Sequence, residues 1–306
     1  MHKFQTLMQR EWMQHQRGWL LMMLLPPALI FLIVLFGPAD SMSVVFDGQR
    51  ADATSVPVLL LLTSTVVVTF MVLCISWIAV TFQAPGQARR DHQDRSIEFW
   101  LSLPVSHSAS IGAMVLVQLF AVPLLALALG WFGSQIIGLA AVARYDGASA
   151  WFSLPWGALL AANLALLARL GLGIVLATLW FLPLLLLSMV ASAWLRRWGM
   201  PALIAAVVGS GLVLKQLYGV NWVFDTLGGL MSYGSRALLH IDRSKGPGIV
   251  IHGPEDVLPQ LARLPVMLMN DGLAALRDCA QPLFLGALLF SACCFALLVL
   301  RRRRVT

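Results

Sequence analysis

Residues 57–83 read PVLLLLTSTVVVTFMVLCISWIAVTFQ and contain no charged side chain. A helix needs about 20 apolar residues to cross a hydrocarbon layer roughly 30 Å thick. This run is long enough, so it predicts a membrane-spanning helix. Similar runs occur at 19–38, 111–140, 170–194, 200–219 and 281–300. The sequence therefore predicts an all-α integral membrane protein with six transmembrane helices.

The composition agrees with this fold class. Of the 306 residues, 59% are hydrophobic and 11% are charged, whereas a soluble domain averages about 25% charged residues. We expect one membrane domain over residues 1–306. The net charge of +7 does not indicate nucleic acid, because the basic residues form short groups beside apolar runs. The four cysteines form no CxxC pair, which indicates neither a disulfide framework nor a zinc site.

Basic residues predict the orientation, because cytoplasmic loops of membrane proteins carry an excess of Lys and Arg. The short loops that would lie outside carry Arg50 and Arg144 against four aspartates. We expect both termini in the cytoplasm of a bacterial inner membrane. The segments that would then be cytoplasmic hold Lys3, Arg10, Arg17, Arg89, Arg90, Arg95, Arg196, Arg197 and Arg301–Arg304.

Three further segments complete the predicted topology. Residues 1–18 place Phe4, Met8 and Trp12 on one helical face, which predicts an amphipathic helix on the inner leaflet. Residues 151–168 are apolar, but a seventh span there would reverse the charge bias. We interpret them as an interfacial helix or an extension of the fourth span. Residues 220–280 predict a small external cap, in which glycines and prolines break any continuous helix.

The chain has no phosphate-binding loop of the form GxxxxGK[ST], since none of its three lysines follows a glycine. Neither HExxH nor GxSxG occurs, so no protease or esterase centre is indicated. We expect no catalytic activity from this chain, and any ATP hydrolysis must come from a partner.

Residues 84–110, between the second and third spans, contain the sequence DRSIEFWLSLPVS at 94–106. A helix from about 87 to 101 would bring Arg90 near Asp94 and Asp91 near Arg95, because residues four apart share a face. Pro104 then ends the helix. By composition alone this segment is a charged, solvated turn.

The 94–106 sequence resembles the segment before the third span in type-2 ATP-binding-cassette (ABC) export permeases. The resemblance implies a cytoplasmic coupling helix that docks on separate ABC ATPase subunits, two copies of which bind ATP and Mg²⁺. It also implies pairing with a second permease copy or a close relative. By this resemblance the residues that contact the ATPase are Arg89, Arg90, Asp91, Asp94, Arg95, Ser96, Glu98 and Phe99.

Two basic residues, Arg169 and Lys215, lie in or beside apolar runs, where a charge is costly. Each is a candidate for the translocation path. Arg169 could instead reach the outer headgroups, and Lys215 lies near the outer end of the fifth span. The alternatives to an exporter subunit are an ion-driven secondary transporter and a non-transport membrane scaffold. A secondary transporter predicts acidic residues inside the membrane, and none is obvious within a span.

Overall fold

A computed structural model describes residues 2–37, 45–46, 49–50, 55–93, 106–239 and 256–304. The described residues are almost entirely helical. The only β structure among them is the two-residue antiparallel pair of β1 (Val45–Phe46) and β2 (Gln49–Arg50). The long helices are α1 (His2–Phe36), α2 (Ser55–Gln93), α3 (His107–Leu116), α4 (Val122–Tyr145), α6 (Trp156–Leu195), α7 (Gly199–Tyr218), α8 (Trp222–Leu238), α9 (Val257–Asp278) and α10 (Pro282–Arg304); α5 (Ala150–Ser153) is one turn.

Five helical stretches are long and apolar enough to cross a membrane: Phe4–Phe36, Ser55–Gln87, His107–Tyr145, Trp156–Tyr218 and Pro282–Arg303. Their outward faces are also apolar, since Leu21 and Ile33 on α1 and Leu289 on α10 are each more than 60% exposed. Such a surface suits lipid rather than water. The predicted all-α membrane fold is therefore confirmed.

The longest stretch, Trp156–Tyr218, contains a sharp reversal. The 3₁₀ turn Arg196–Trp198 joins α6 to α7, and Arg196 has a φ of 52°. A methyl group on Gly199 would lie only 2.6 Å from Ser192 Cα, seven residues earlier. A straight helix would separate those residues by about 10 Å, so α6 and α7 form a helical hairpin. The predicted spans 170–194 and 200–219 are thus joined by a tight turn at residues 195–199.

Side-chain contacts sort the helix ends into two groups. At one end, Gln87 of α2 hydrogen-bonds His15 of α1 at 3.1 Å, and Arg302 of α10 donates to Ser110 Oγ of α3 at 3.1 Å. At the other end, an Arg144 guanidinium of α4 donates to the Gly37 carbonyl after α1. The first three helical spans, α1, α2 and α3–α4, thus alternate in direction, and residues 15, 87, 110 and 302 lie on one side of the bundle.

Two expected helix boundaries differ from the structure, and the structure decides between the two alternatives for a third. The helix α1 runs without a break across residue 18, so no separate interfacial helix precedes the first span. The helix α6 runs without a break from Trp156, which makes residues 156–168 an extension of the predicted fourth span. Pro265 lies inside α9 and does not break it. Its missing N–H removes one backbone bond, and packing of α9 on α6 and α2 holds the helix together.

Small residues bring α4 close to its neighbours. A methyl group on Gly130 would lie 3.1 Å from Thr69 Cα of α2, and one on Gly133 would lie 3.1 Å from Pro27 Cβ of α1. Close backbone approach at small residues is a main source of helix association in lipid. It makes α2 and α4 the most closely packed helix pair of the bundle.

A π turn, Val117–Ala121, joins α3 to α4. Pro123 follows it and has no N–H to donate to the Leu119 carbonyl four residues earlier. The Thr178 hydroxyl of α6 donates to that carbonyl instead, at 3.1 Å. Replacement of a lost backbone bond by a side chain from a neighbouring helix is how membrane helices tolerate proline.

Candidate functional site

The predicted ATPase-contacting residues fall only partly within the described chain. Arg89, Arg90 and Asp91 lie in the backbone of the last turns of α2, which ends at Gln93. Asp94, Arg95, Ser96, Glu98 and Phe99 lie outside the described residues. The chain re-enters the described part at Ser106, whose hydroxyl accepts a hydrogen bond from the Ala109 N–H and caps α3.

The two ends that flank the 94–105 segment are held by other helices. Trp19 Nε1 of α1 donates to Gln83 Oε1 of α2 at 3.3 Å, one turn before the Gln87–His15 bond. Beyond the segment, Ser110 receives its hydrogen bond from Arg302. Arg301 lies over the Trp194 ring at 5.5 Å, which adds the end of α6 to the same group. The described residues that flank the segment therefore lie at the end of the bundle where the arginine-rich helix termini gather.

Arg169 of α6 is the most buried charged residue among those described, with 3% of its surface exposed. Its Nε donates to Asp271 Oδ2 of α9 at 2.6 Å, and its Nη1 donates to the Ala237 carbonyl of α8 at 2.8 Å. One guanidinium thus ties α6, α8 and α9 together. A charge in such an apolar setting is stable only when it is paired and hydrogen-bonded.

The ion pair lies near mid-height of the bundle. Gly171, two residues after Arg169, faces Leu127 Cδ2, which a methyl group on the glycine would meet at 3.8 Å. Leu127 is close to the midpoint of the helical run 107–145. The interpretation that Arg169 reaches the outer headgroups stays a prediction, since it depends on where along α6 the bilayer lies. The side chain points between α8 and α9, because Asp271 of α9 and the Ala237 carbonyl of α8 accept its hydrogen bonds.

Sequence reasoning missed Asp271, which lies in the segment that we expected to be an external cap. The structure places it beside a membrane-type helix, so Arg169 does have a carboxylate partner. The available signal was the periodicity of 257–278, whose apolar residues recur on one face. That pattern indicates a helix packed against other helices. It does not identify α6 as the neighbour, and the pair spans 102 residues of sequence.

Lys215 has a different environment. It lies in the last turn of α7 and is exposed, and its side chain makes no hydrogen bond or ion pair within the described part of the chain. The structure does not bring it together with Arg169, so the two predicted path residues do not form one site.

A polar network links α2, α4 and α6 toward the opposite end from Arg302. Gln135 Nε2 donates to Thr65 Oγ1 at 3.0 Å and to Asn163 Oδ1 at 3.1 Å. Trp131 Nε1 donates to the same Asn163 oxygen at 3.2 Å, and Asn163 Nδ2 donates to the Leu159 carbonyl at 2.9 Å. These polar residues interrupt apolar runs in the sequence, which was the only signal that could have identified them.

A cavity of about 460 Å³ lies between α2, α6 and α9, next to this network. Its wall includes Thr65 and Asn163 and is otherwise almost wholly apolar, apart from Thr63 and Gln260. A mostly apolar pocket with a few oriented polar groups is the usual form of a small-molecule site. A second cavity, of about 280 Å³, lies between α6 and α9 and is lined by Arg169.

The comparisons add no relative: no protein-family profile matches the chain, and no curated protein or solved structure is significantly similar to it. Among the described residues, no three His, Cys, Asp or Glu side chains lie close enough to hold a metal ion.

Proposed function

We propose that this chain is the transmembrane permease subunit of an ATP-driven exporter of the type-2 ABC kind, located in a bacterial inner membrane. In this proposal six spans cross the bilayer, with α6 and α7 as the fourth and fifth. A second copy or a close relative completes the translocation path. Two separate ATPase subunits hold ATP and Mg²⁺.

The observation that carries the proposal is how the described residues on either side of the 94–105 segment are held. Its flanking residues, Gln87 and Ser110, are anchored to α1 and α10. A push on the segment would therefore reach four helices at once, α1, α2, α3 and α10. This arrangement suits a mechanism in which closure of an ATPase pair moves the membrane helices as rigid bodies between inward-open and outward-open states.

The proposed orientation has both termini in the cytoplasm, because the arginine-rich ends of α6 and α10 lie on the same side as residues 15 and 87. A reporter fused after Thr306 that is active only in the periplasm should stay silent. A tag inserted near Gly246 should be accessible from outside. Periplasmic activity of the C-terminal reporter would contradict the six-span topology.

One observation favours the alternative of an ion-driven transporter: the carboxylate of Asp271 lies near mid-height of the helix bundle. That carboxylate accepts a hydrogen bond from Arg169 at 2.6 Å, which accounts for it as a structural contact between α6 and α9. A non-transport scaffold would need neither ATPase nor ion gradient. The three functions can be distinguished by the energy source that drives transport and by the protein that co-purifies with the chain.

The test is the double variant Asp94→Ala/Arg95→Ala, which leaves the net charge and hence the topology signal unchanged. We expect normal levels in the membrane and loss of the co-purifying ATPase, because a desolvated charged contact contributes about 2–5 kcal/mol to binding. Substrate-stimulated ATP hydrolysis should disappear with it. The matched control is Arg277→Ala/Asp278→Ala at the end of α9, which removes one charge of each sign away from the segment.

The control variant should retain the ATPase. If the 94/95 variant also retains it and transports normally, the segment is a solvated turn and the proposal fails.

A further inference from the structure

The cavity of about 460 Å³ between α2, α6 and α9 has no charged residue in its wall. Most of the lining residues are aliphatic, and the polar ones are Thr63, Thr65, Asn163 and Gln260. The cavity opens beside α2, where Val66 and Val67 are each 53% exposed. A charged group enclosed by this wall would have no partner of opposite charge, which is strongly unfavourable. The cavity therefore suits an uncharged molecule.

Two of the polar residues in the wall already bind other parts of the protein. The Thr65 hydroxyl donates to the Leu61 carbonyl at 2.7 Å and accepts from Gln135. The Asn163 amide makes three hydrogen bonds within the bundle, two through its oxygen and one through its nitrogen. These two side chains join α2, α4 and α6, so their main role is to hold the wall in place.

Gln260 of α9 has a different environment. It lies on the same face of α9 as Val257, Leu264 and Leu268, which also line the cavity. Its side chain is half-buried and makes no hydrogen bond within the described part of the chain. Its amide atoms keep accessible surface, since they are not among the buried side-chain atoms that lack a partner. A carboxamide offers two N–H donors and one carbonyl acceptor, so Gln260 can pair with a ligand that both donates and accepts.

We propose that this cavity binds an uncharged aliphatic molecule with a single chain, whose polar end both donates and accepts hydrogen bonds and pairs with Gln260. The aliphatic wall fits the chain. The volume lies toward the lower end of the range for small-molecule sites, roughly 300–1,000 Å³. A phospholipid is excluded as the occupant, because its charged headgroup would have no partner in this wall. The site lies within one chain, so it does not depend on the exporter function.

Photolabelling tests the site with three matched probes. The full-length chain is placed in phosphatidylcholine nanodiscs with diazirine-bearing octanamide, with its carboxylate counterpart, or with a hydrocarbon counterpart in which a methyl group replaces the carboxamide. Peptide mass spectrometry measures the label on residues 59–67 and 257–268 that excess unlabelled octanamide removes. We define this fraction as the displaceable label. We expect the amide probe to give roughly tenfold more displaceable label than the carboxylate probe.

Two variants test the role of Gln260. Gln260→Leu keeps the approximate size of the side chain but removes its amide. The ratio of amide to hydrocarbon displaceable label should fall about fivefold, the effect of one neutral hydrogen bond. Partition of each probe into the bilayer is the same for both proteins and cancels in this comparison. Gln216→Leu, at an exposed position in the last turn of α7, is the matched control and should keep the wild-type ratio.

A third variant tests the location of the site. In Val67→Trp, a larger side chain at the exposed rim obstructs the opening and should lower the displaceable label from the amide and hydrocarbon probes alike. This variant decides the outcome if Gln260→Leu does not fold, as judged by gel filtration. Displaceable label that is undiminished in Val67→Trp overturns the proposal, as does a wild-type ratio that survives Gln260→Leu.

A last probe distinguishes a free small molecule from a lipid of the bilayer. Phosphatidylcholine with a diazirine on one acyl chain should label exposed positions of α2, and excess octanamide should not change that label. Removal of this label from 59–67 and 257–268 by octanamide would show that a phospholipid occupies the cavity and would overturn the assignment. Absence of any displaceable label from the amide probe would overturn it as well.

Discussion

The helices α6 and α7 are consecutive and apolar, and a tight turn joins them. Each carries one basic residue, Arg169 in the interior of α6 and Lys215 in the last turn of α7. The helix α6 packs against α2, α8, α9 and α10, whereas α7 packs mainly against α6 and α8. Arg169 on α6 is buried and paired, and Lys215 on α7 is exposed. The comparison teaches that a charge in an apolar run acquires its role from the helices that surround it.

The largest difference between the two residues should appear when a partner is removed. In Asp271→Leu, Arg169 keeps its charge but loses the ion pair, and loss of one partner from a buried pair costs about 3–5 kcal/mol. We expect the free energy of unfolding, measured by SDS titration in mixed micelles, to fall by this amount. The double variant Arg169→Leu/Asp271→Leu removes both charges and should be markedly more stable than Asp271→Leu alone.

The double variant is the decisive control. If it is no more stable than Asp271→Leu, the loss comes from packing of α9 and the ion pair has no special energetic role.

A smaller difference should follow from a methyl group on each helix. In Gly173→Ala on α6, the new Cβ would lie 2.8 Å from the Ala237 carbonyl oxygen and 3.1 Å from Leu238 Cα. Backbone atoms cannot rotate away, so α8 must shift, at a cost of about 1–3 kcal/mol. Gly209→Ala on α7 meets no atom within 4 Å and should add up to about 1 kcal/mol through helix propensity.

Thermal unfolding followed by fluorescence-detected gel filtration measures both glycine variants. Equal midpoints for the two would mean that α8 is not held against α6 as the structure has it.

The smallest effect should come from Lys215→Leu, since an exposed side chain without a partner contributes little. We expect a change within about 0.5 kcal/mol by the same SDS titration. A loss as large as that of Asp271→Leu would mean that Lys215 is paired in the assembled protein, and the contrast between α6 and α7 would then hold only for the isolated chain.

Much of the fold could be predicted because a membrane helix is visible in the sequence as a long run of uncharged, apolar residues. Uncharged runs such as 57–83 located the long helices, and Arg196 and Arg197 marked the turn between α6 and α7. The signal fails at boundaries that involve no change in polarity, which is why α6 begins at Trp156 and α1 crosses residue 18 without a break.

The site was less accessible from the sequence. The candidate cations Arg169 and Lys215 could be found, because a charge is unusual in an apolar run. The partner of Arg169 could not, since Asp271 lies in an amphipathic segment whose contact with α6 depends on tertiary packing. The predicted coupling residues Asp94, Arg95, Ser96, Glu98 and Phe99 stay a prediction, because they lie outside the described residues.

The π turn at Val117–Ala121 has a consequence for how this helix can change in length. A π turn holds one residue more than an α-helical turn at the same point. Deleting a single residue there would leave α3 and α4 facing the same neighbours as before, with an ordinary helical turn between them. The same deletion elsewhere in 107–145 would rotate one half of the span by about 100° relative to the other. Single-residue deletions in homologues of this chain should therefore be tolerated at 117–121 and excluded from the rest of the span, and the hydroxyl of Thr178, which donates to Leu119 inside the turn, should vary together with them.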